Sequence, residues 1–242
     1  MLVNILTYNI HGMPWANTDM KTLFTWVFEN STADILCFQE LWSTEQRVLL
    51  QQFCKEFGWN VSFPMDSCSL GYFLKGLECG SGLAIAYKAI FELVSTPIFT
   101  PYQEAAGVDK LITKGFYHIK FKYQNTIFSL LNTHFQSDFT ELPCCRINYR
   151  FSRLAQEFAV YSYAKRFREP ILICGDLNEE TTKFLHFLEK KKHITFTDTG
   201  EHLDHICSLR GETRFVLEKS IYFDTIHYSD HIPVLFTISI QT

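Results

Sequence analysis

Nowhere in the chain is there a run of about 18 apolar residues, so no segment reads as a membrane-crossing helix. The eight cysteines include no CxxC pair and no histidine pair at zinc-ligand spacing, which argues against a zinc module. Positive charge is in short supply: 22 Lys and Arg stand against 26 Asp and Glu, a net charge of -4. That balance speaks against a chain that binds nucleic acid or membrane surfaces through bulk charge, although a local basic patch is not excluded by it. The opening Met1-Leu2-Val3-Asn4-Ile5-Leu6 lacks the basic start and long apolar core of a signal peptide and reads as a strand. The thiols are therefore expected to be reduced and buried in a cytoplasmic protein, with the adjacent Cys144 and Cys145 not bonded to each other. No linker, low-complexity tract or repeat breaks the 242 residues, which read as one domain.

A core is well provided for: 47% of residues are hydrophobic and 16% aromatic. The pattern is organised around Ile171-Leu172-Ile173-Cys174-Gly175-Asp176-Leu177-Asn178. A four-residue apolar run between Pro170 and Gly175 is too short for a helix and reads as a buried strand. It delivers an acid and an amide two residues apart, which share a face in extended chain and can converge on one ligand. Strand ends are where open α/β folds hold their chemistry.

Strands are expected at 2–10, 33–40, 59–63, 83–87, 93–99, 115–123, 126–134, 203–209, 213–223 and 233–240, and helices at 17–31, 43–57, 145–168 and 179–192. Ser43 with Gln46 forms a helix-capping pattern. Tyr123-Gln124-Asn125-Thr126 reads as a hairpin turn, with Asn125 accepting a positive φ. In the longest helix, Ile147, Phe151, Leu154, Phe158 and Tyr161 make an apolar stripe. Its other faces carry Arg146, Arg150, Arg153, Lys165, Arg166 and Arg168, read either as a solvated face or as a phosphate-attracting rim. Residues 64–82, rich in Gly, Ser, Cys and aromatics, read as a long loop that is either self-packed or substrate-contacting. The two halves look alike in outline, which predicts two β-sheets packed face to face with helices outside.

Six segments place polar groups just past apolar strands: Tyr8-Asn9, Gln39-Glu40, Asn132-Thr133-His134, Gly175-Asp176-Leu177-Asn178, Leu203-Asp204-His205 and Ser229-Asp230-His231. Collected in one cleft they offer hard oxygen ligands, suited to Mg²⁺ or Mn²⁺, and imidazoles able to handle protons. The chemistry that inventory fits is hydrolysis of a phosphate ester.

The ordered set resembles the endonuclease/exonuclease/phosphatase superfamily, which includes deoxyribonuclease I, abasic-site endonucleases, inositol polyphosphate 5-phosphatases and neutral sphingomyelinases. The resemblance spans essentially the whole chain and implies a four-layer α/β sandwich. Ser81-Gly82-Leu83-Ala84-Ile85, Asp109-Lys110-Leu111-Ile112-Thr113-Lys114-Gly115-Phe116 and Asn132-Thr133-His134-Phe135-Gln136-Ser137 are similar to its neutral sphingomyelinase-like branch. By resemblance, Glu40 is the principal metal ligand, helped by Asn9, with Asp230 close by. His231 contacts the scissile phosphate and orients or deprotonates water, with Asp204 holding its ring. Asp176 and Asn178 position the water, Asp176 being the competing general base. His134 stabilises the phosphate or protonates the leaving oxygen, and Lys114 faces the phosphate. The implied partner is a phosphate ester, a phospholipid before a nucleic acid, with peripheral membrane contact through loop 64–82 and no obligate protein partner.

Overall fold

Alternation along the strands decides the architecture. Val3 and Ile5 point to one side of the first strand and Leu6, Tyr8 and Ile10 to the other, and both sides are buried. A strand that is apolar on both faces has to be covered on both. The computed structural model describes residues 2–65, 78, 80–138, 149–178, 194–197, 203–209 and 214–241. Its elements run β1 (Leu2–Asn9), α1 (Met20–Asn30), β2 (Ile35–Gln39), α2 (Thr44–Glu56), β3 (Trp59–Ser62), β4 (Ala84–Lys88), β5 (Glu92–Leu93) and β6 (Ile98–Pro101). A short 3-10 turn over Gly107–Leu111 precedes β7 (Gly115–Tyr123), β8 (Thr126–His134), α3 (Tyr149–Ala164), β9 (Ile171–Asp176), β10 (Ile194–Thr197), β11 (Asp204–Leu209), β12 (Arg214–Tyr222) and β13 (Val234–Gln241).

The strands form two mixed sheets. One has the order β12-β13-β1-β2-β4-β3, the other β10-β11-β9-β8-β7-β5 with β6 also paired to β7. They pack face to face around a central core that includes Ile5, Cys37, Phe128, Leu130, Leu172, Cys174 and Phe236. Helices α1 and α2 cover the outside of the first sheet through Leu23, Phe24, Val27, Leu50 and Phe53. Helix α3 lies outside the second, with Val160 and Ala164 in an outer core beside Leu131, Ile171 and Ile173. The expected α/β sandwich of four layers is therefore present. Ser43 and Gln46 complete the capping box of α2 as the sequence indicated.

Several local expectations are corrected. The single strand expected at 93–99 is two short pieces, β5 and β6, separated by residues 94–97, where Pro97 has no N–H for a ladder. In the β7–β8 hairpin Tyr123 pairs with Thr126, but the positive φ falls on Gln124 (55°) and not on Asn125. β10 lies in a stretch to which no strand had been given. The described part of α3 ends at Ala164, short of residue 168. Three residues of its stripe are also turned outward: Phe151, Leu154 and Phe158 are 68%, 44% and 58% exposed, while Tyr161 packs on the outer core and Arg153, Gln156 and Glu157 are buried. The helix expected at 179–192, Cys144-Cys145, the start of helix 145–168 and most of loop 64–82 lie outside the described residues. Cys37, Cys54, Cys174 and Cys207 are free and buried. Among the described residues no helix is long and apolar enough to cross a membrane.

Candidate active site

The central core changes character at one end. Following alternate inward positions, β1 reads Val3, Ile5, Thr7, Asn9, and β2 reads Ile35, Cys37, Gln39. Across the sandwich β8 reads Phe128, Leu130, Asn132, His134, and β9 reads Leu172, Cys174, Asp176. β1 runs parallel to β2, and β8 parallel to β9, so all four polar ends reach the same edge of the sandwich. Antiparallel β11 starts there with Asp204, opposite Asp176. The sheets are tied at this level by Gln39 Nε2 donating to Asn132 Oδ1 (2.7 Å) and Asn132 Nδ2 donating to the carbonyls of Phe38 (2.9 Å) and Ala84 (3.0 Å).

Three site residues sit in the left-handed region: His11 (φ 47°), Glu40 (63°) and Asn178 (51°). Such conformations cost about 1–3 kcal/mol each and persist where surroundings enforce them. At Glu40 the enforcement is visible. A Cβ on Gly12 would lie 2.2 Å from the Glu40 carbonyl oxygen, so only glycine allows that approach. Gln46 Nε2 holds the Gly12 carbonyl at 2.8 Å, and Leu41 N donates to Gly82 O.

These ends surround a cavity of about 310 Å³ whose lining includes Glu40, His134, Asp176, Asn178, Asp230 and His231. Asp176 is 1% exposed and lies between several of them. Its Oδ2 accepts from Asn9 Nδ2 (2.9 Å) and is 3.3 Å from His134 Nε2 and 3.6 Å from His231 Nε2. Its Oδ1 accepts from Asn178 N (2.8 Å). Burial, followed by the Asp204 charge, pushes its carboxyl up to about 6 against the pull of His231, Asn9 and Lys114. His231 Nδ1 is 2.8 Å from Asp204 Oδ2. Burial pulls the His231 ring down, but Asp176, Asp204 and Asp230 outweigh it and carry it up to about 10. The backbone N–H of His231 donates to Ser229 Oγ, whose hydroxyl in turn donates to the Asn9 carbonyl.

His134 behaves differently. Burial, with Lys114 and His231 nearby, holds its ring well below the ordinary histidine value, so it is neutral. Lys114 Nζ lies 3.1 Å from Nε2, and an ammonium can only donate. The same ring nitrogen is 3.3 Å from Asp176 Oδ2, a carboxylate that can only accept, while Nδ1 is buried with no hydrogen-bond partner among the described residues. Lys114 is itself buried and does not line the cavity. Its ammonium is shared between Asp109 Oδ2 (2.8 Å), the Phe135 carbonyl (2.6 Å) and His134, so it reaches the site through them.

Asn9 donates from Nδ2 to Glu40 Oε1 (3.0 Å) and to Asp176, while its Oδ1 takes the N–H of His11 (3.0 Å). Its amide orients Glu40 and keeps its own oxygen turned away. Asp230 stands at the rim, its Oδ1 3.1 Å from His11 Nδ1. The sequence reading brings together Asn9, Glu40, His134, Asp176, Asn178, Asp204, Asp230 and His231. It missed His11, Met13, Trp15, Ser137 and Asp138, which also line the cavity. They lie on irregular segments directly after β1 and β8, and that adjacency was the available signal, together with the 132–137 motif for Ser137.

Among the described residues no group of three or more His, Cys, Asp or Glu closes around a metal ion. The donor chemistry fits a hard cation held by one or two carboxylates, the rest of its shell being water and substrate oxygen. Glu40 faces the cavity with oxygens only partly engaged by Asn9 and Trp42.

Two facing mixed sheets with polar strand ends converging on one cleft define the deoxyribonuclease I-like α/β sandwich. The chain belongs to the endonuclease/exonuclease/phosphatase family, whose description matches residues 6–231. Members of that family are phosphoester hydrolases. No curated protein sequence matches the chain. Similar solved structures include sphingomyelinase C from Streptomyces griseocarneus (16% identity, TM-score 0.71, 98% of this chain and 99% of that one). Another is a Staphylococcus aureus beta toxin mutant with bound magnesium ions (16%, 0.68, 98% and 99%). A third is a humanized D. rerio TDP2 (14%, 0.68, 98% and 99%). At such identities the likeness shows the fold.

Proposed function

We propose that the protein is a Mg²⁺-dependent phosphodiesterase acting on a phospholipid head group. The observation that carries this reading is the Asp204–His231–Asp176 array beside the Glu40 carboxylate in one cavity. Glu40 would hold the cation, with Asp230 at the rim and Asn9 orienting Glu40. When bound, Mg²⁺ supplies neutralisation of charge on the phosphoryl oxygens. Asp176, pushed up to about 6, is ionised yet basic at neutral pH and is the group that takes the proton of the attacking water. Asn178 spends Nδ2 on the Phe135 carbonyl (3.1 Å), which leaves Oδ1 to orient that water. His231, carried up to about 10, is an imidazolium at neutral pH and sets a positive charge and a proton beside the phosphate. Asp204 fixes its orientation. His134, a neutral imidazole that lines the cavity beside Asp176, is the group placed to stabilise the phosphate or the leaving oxygen. In-line attack inverts phosphorus.

Three observations favour a lipid. The sphingomyelinase-like motifs at 81–85, 109–116 and 132–137 are retained. Among the described residues that line the cavity there is no Lys or Arg, whereas nucleic-acid backbones are gripped by cations. Met13, Trp15 and Leu203 add apolar side chains to the cavity lining. Fully exposed Met65 lies in loop 64–82, the segment proposed to touch the membrane surface. The buried free thiols suit a cytoplasmic protein. A nuclease or tyrosyl-DNA reading is the alternative, favoured by the TDP2 likeness and by Trp15, 63% exposed and able to stack on a base.

The test is hydrolysis of sphingomyelin in mixed micelles, with Mg²⁺ or chelator, beside an abasic-site duplex and a Glu40→Gln control. Metal-dependent phosphocholine release that disappears in the control is the expected result. Cleavage of the duplex alone moves the protein to the nuclease reading.

A further inference from the structure

Helix α3 turns a polar face inward. Arg153 and Gln156 are 6% and 1% exposed while phenylalanines of the same helix face out. Burying a guanidinium and an amide is costly unless both find partners, and their partners lie in one place. The segment 135–138 leaves β8 directly after His134 and has no regular secondary structure. Even so, every backbone donor and acceptor from Phe135 to Ser137 is engaged. Phe135 N donates to the Asp176 carbonyl (2.9 Å), and its own carbonyl accepts from Lys114 Nζ (2.6 Å) and Asn178 Nδ2 (3.1 Å). Gln136 N donates to Gln156 Oε1 (2.8 Å), and its carbonyl accepts from Arg153 (3.1 Å). Ser137 N donates to Asp109 Oδ2 (3.0 Å), and its carbonyl accepts from Gln136 Nε2 (3.1 Å). Arg153 also forks the carboxylate of Asp138, a wall of the cavity, at 2.7 and 2.9 Å.

We propose that Gln156 and Arg153 are positioning residues. They fix the 135–138 segment, and through the Phe135 carbonyl they set where the Asn178 amide and Lys114 stand. Through Asp138 they set the wall that substrate meets. The arginine thus serves substrate indirectly: its guanidinium is committed to Asp138 and Gln136 and is not a phosphate rim. The proposal rests on the phosphodiesterase reading above.

Gln156 makes two bonds that lead in different directions, which separates positioning from mere packing. Oε1 leads to Gln136 and the site, while Nε2 donates to the Glu104 carbonyl (2.7 Å), away from it. Gln156→Leu removes both bonds; Gln156→Glu keeps the acceptor and drops the donor. The experiment follows Mg²⁺-dependent hydrolysis of bis(p-nitrophenyl) phosphate together with hydrogen exchange at the Gln136 and Ser137 amides. The expected result is a fall in kcat of about 10- to 100-fold for Gln156→Leu with KM nearly unchanged, the order a displacement of about 1 Å produces. Gln156→Glu should restore kcat to near wild type, and amide exchange should speed up in the Leu variant alone. Should Gln156→Leu not fold, Arg153→Lys, which keeps the charge and breaks the fork, carries the same expectation for kcat. Wild-type kcat in Gln156→Leu, or equal losses in the Leu and Glu variants, would overturn the proposal. A wild type that releases no p-nitrophenolate with Mg²⁺ sinks the phosphodiesterase reading and the proposal together, and the silent wild type tells that failure from the first.

Discussion

His118 lies away from the catalytic cavity and makes stability depend on pH in a calculable way. It is 5% exposed on β7, with Nε2 2.9 Å from Ser129 Oγ, Nδ1 3.0 Å from the Tyr163 hydroxyl, and Phe167 packed edge-on at 5.0 Å. Burial lowers its ring from 6.5 to about 4, with Glu169 opposing that shift and Lys120 adding to it. The folded state therefore holds fewer protons than the unfolded chain below pH 6.5. The stability linked to the neutral ring is fully present above about pH 6.5 and is lost as pH falls toward 4. With one pKa unit equal to about 1.4 kcal/mol, the loss is about 2 kcal/mol by pH 5 and about 3 kcal/mol at pH 4. Urea unfolding of wild type and His118→Gln from pH 8 to 4.5 measures it, because carboxylate effects are common to both proteins and cancel in the difference. The wild type should lose stability faster than the variant over the acid half of that range. A difference that stays flat within about 0.5 kcal/mol, or an NMR titration of His118 with a midpoint near 6.5, would refute the reasoning.

Other consequences are equally open to measurement. Gly175 has φ 138°, and a Cβ there would lie 1.9 Å from the Thr133 carbonyl oxygen, so Gly175→Ala should cost at least about 3 kcal/mol and cripple turnover, read by thermal unfolding and kcat. Asn132→Leu strips the inter-sheet ties to Gln39, Phe38 and Ala84 and should destabilise by about 2–4 kcal/mol in urea unfolding. Asp204→Asn removes a negative charge that holds His231 up, and should lower kcat by roughly 10²- to 10⁴-fold while moving the alkaline limb of the pH–rate profile below 10. Glu40→Gln should abolish metal-dependent turnover with little change in thermal midpoint, checked by both measurements.

Much of this molecule was legible in its residues because its strands are buried on both sides. Runs such as Ile171–Cys174 and Ile35–Phe38 announce themselves, and a polar residue at the next inward position, Asp176 or Gln39, marks the site. Gln39 and Asn132 were in view but had no role, since nothing local says that two amides on different strands will meet across a sandwich. Helix α3 misled because its apolar stripe is real in the sequence, yet the partners waiting inside are carbonyls and carboxylates, which select Arg153 and Gln156. His11 and Trp15 escaped because irregular chain carries no period to read.

The site straddles the seam between the two sheets. Asn9, Glu40 and His231 ride on one slab, and His134, Asp176 and Asp204 on the other, so every distance between the groups is also a measure of how the slabs sit on each other. Core residues between the slabs, such as Cys37 and Cys174 one inward position below Gln39 and Asp176, therefore act as shims: their bulk helps set the spacing on which the site depends.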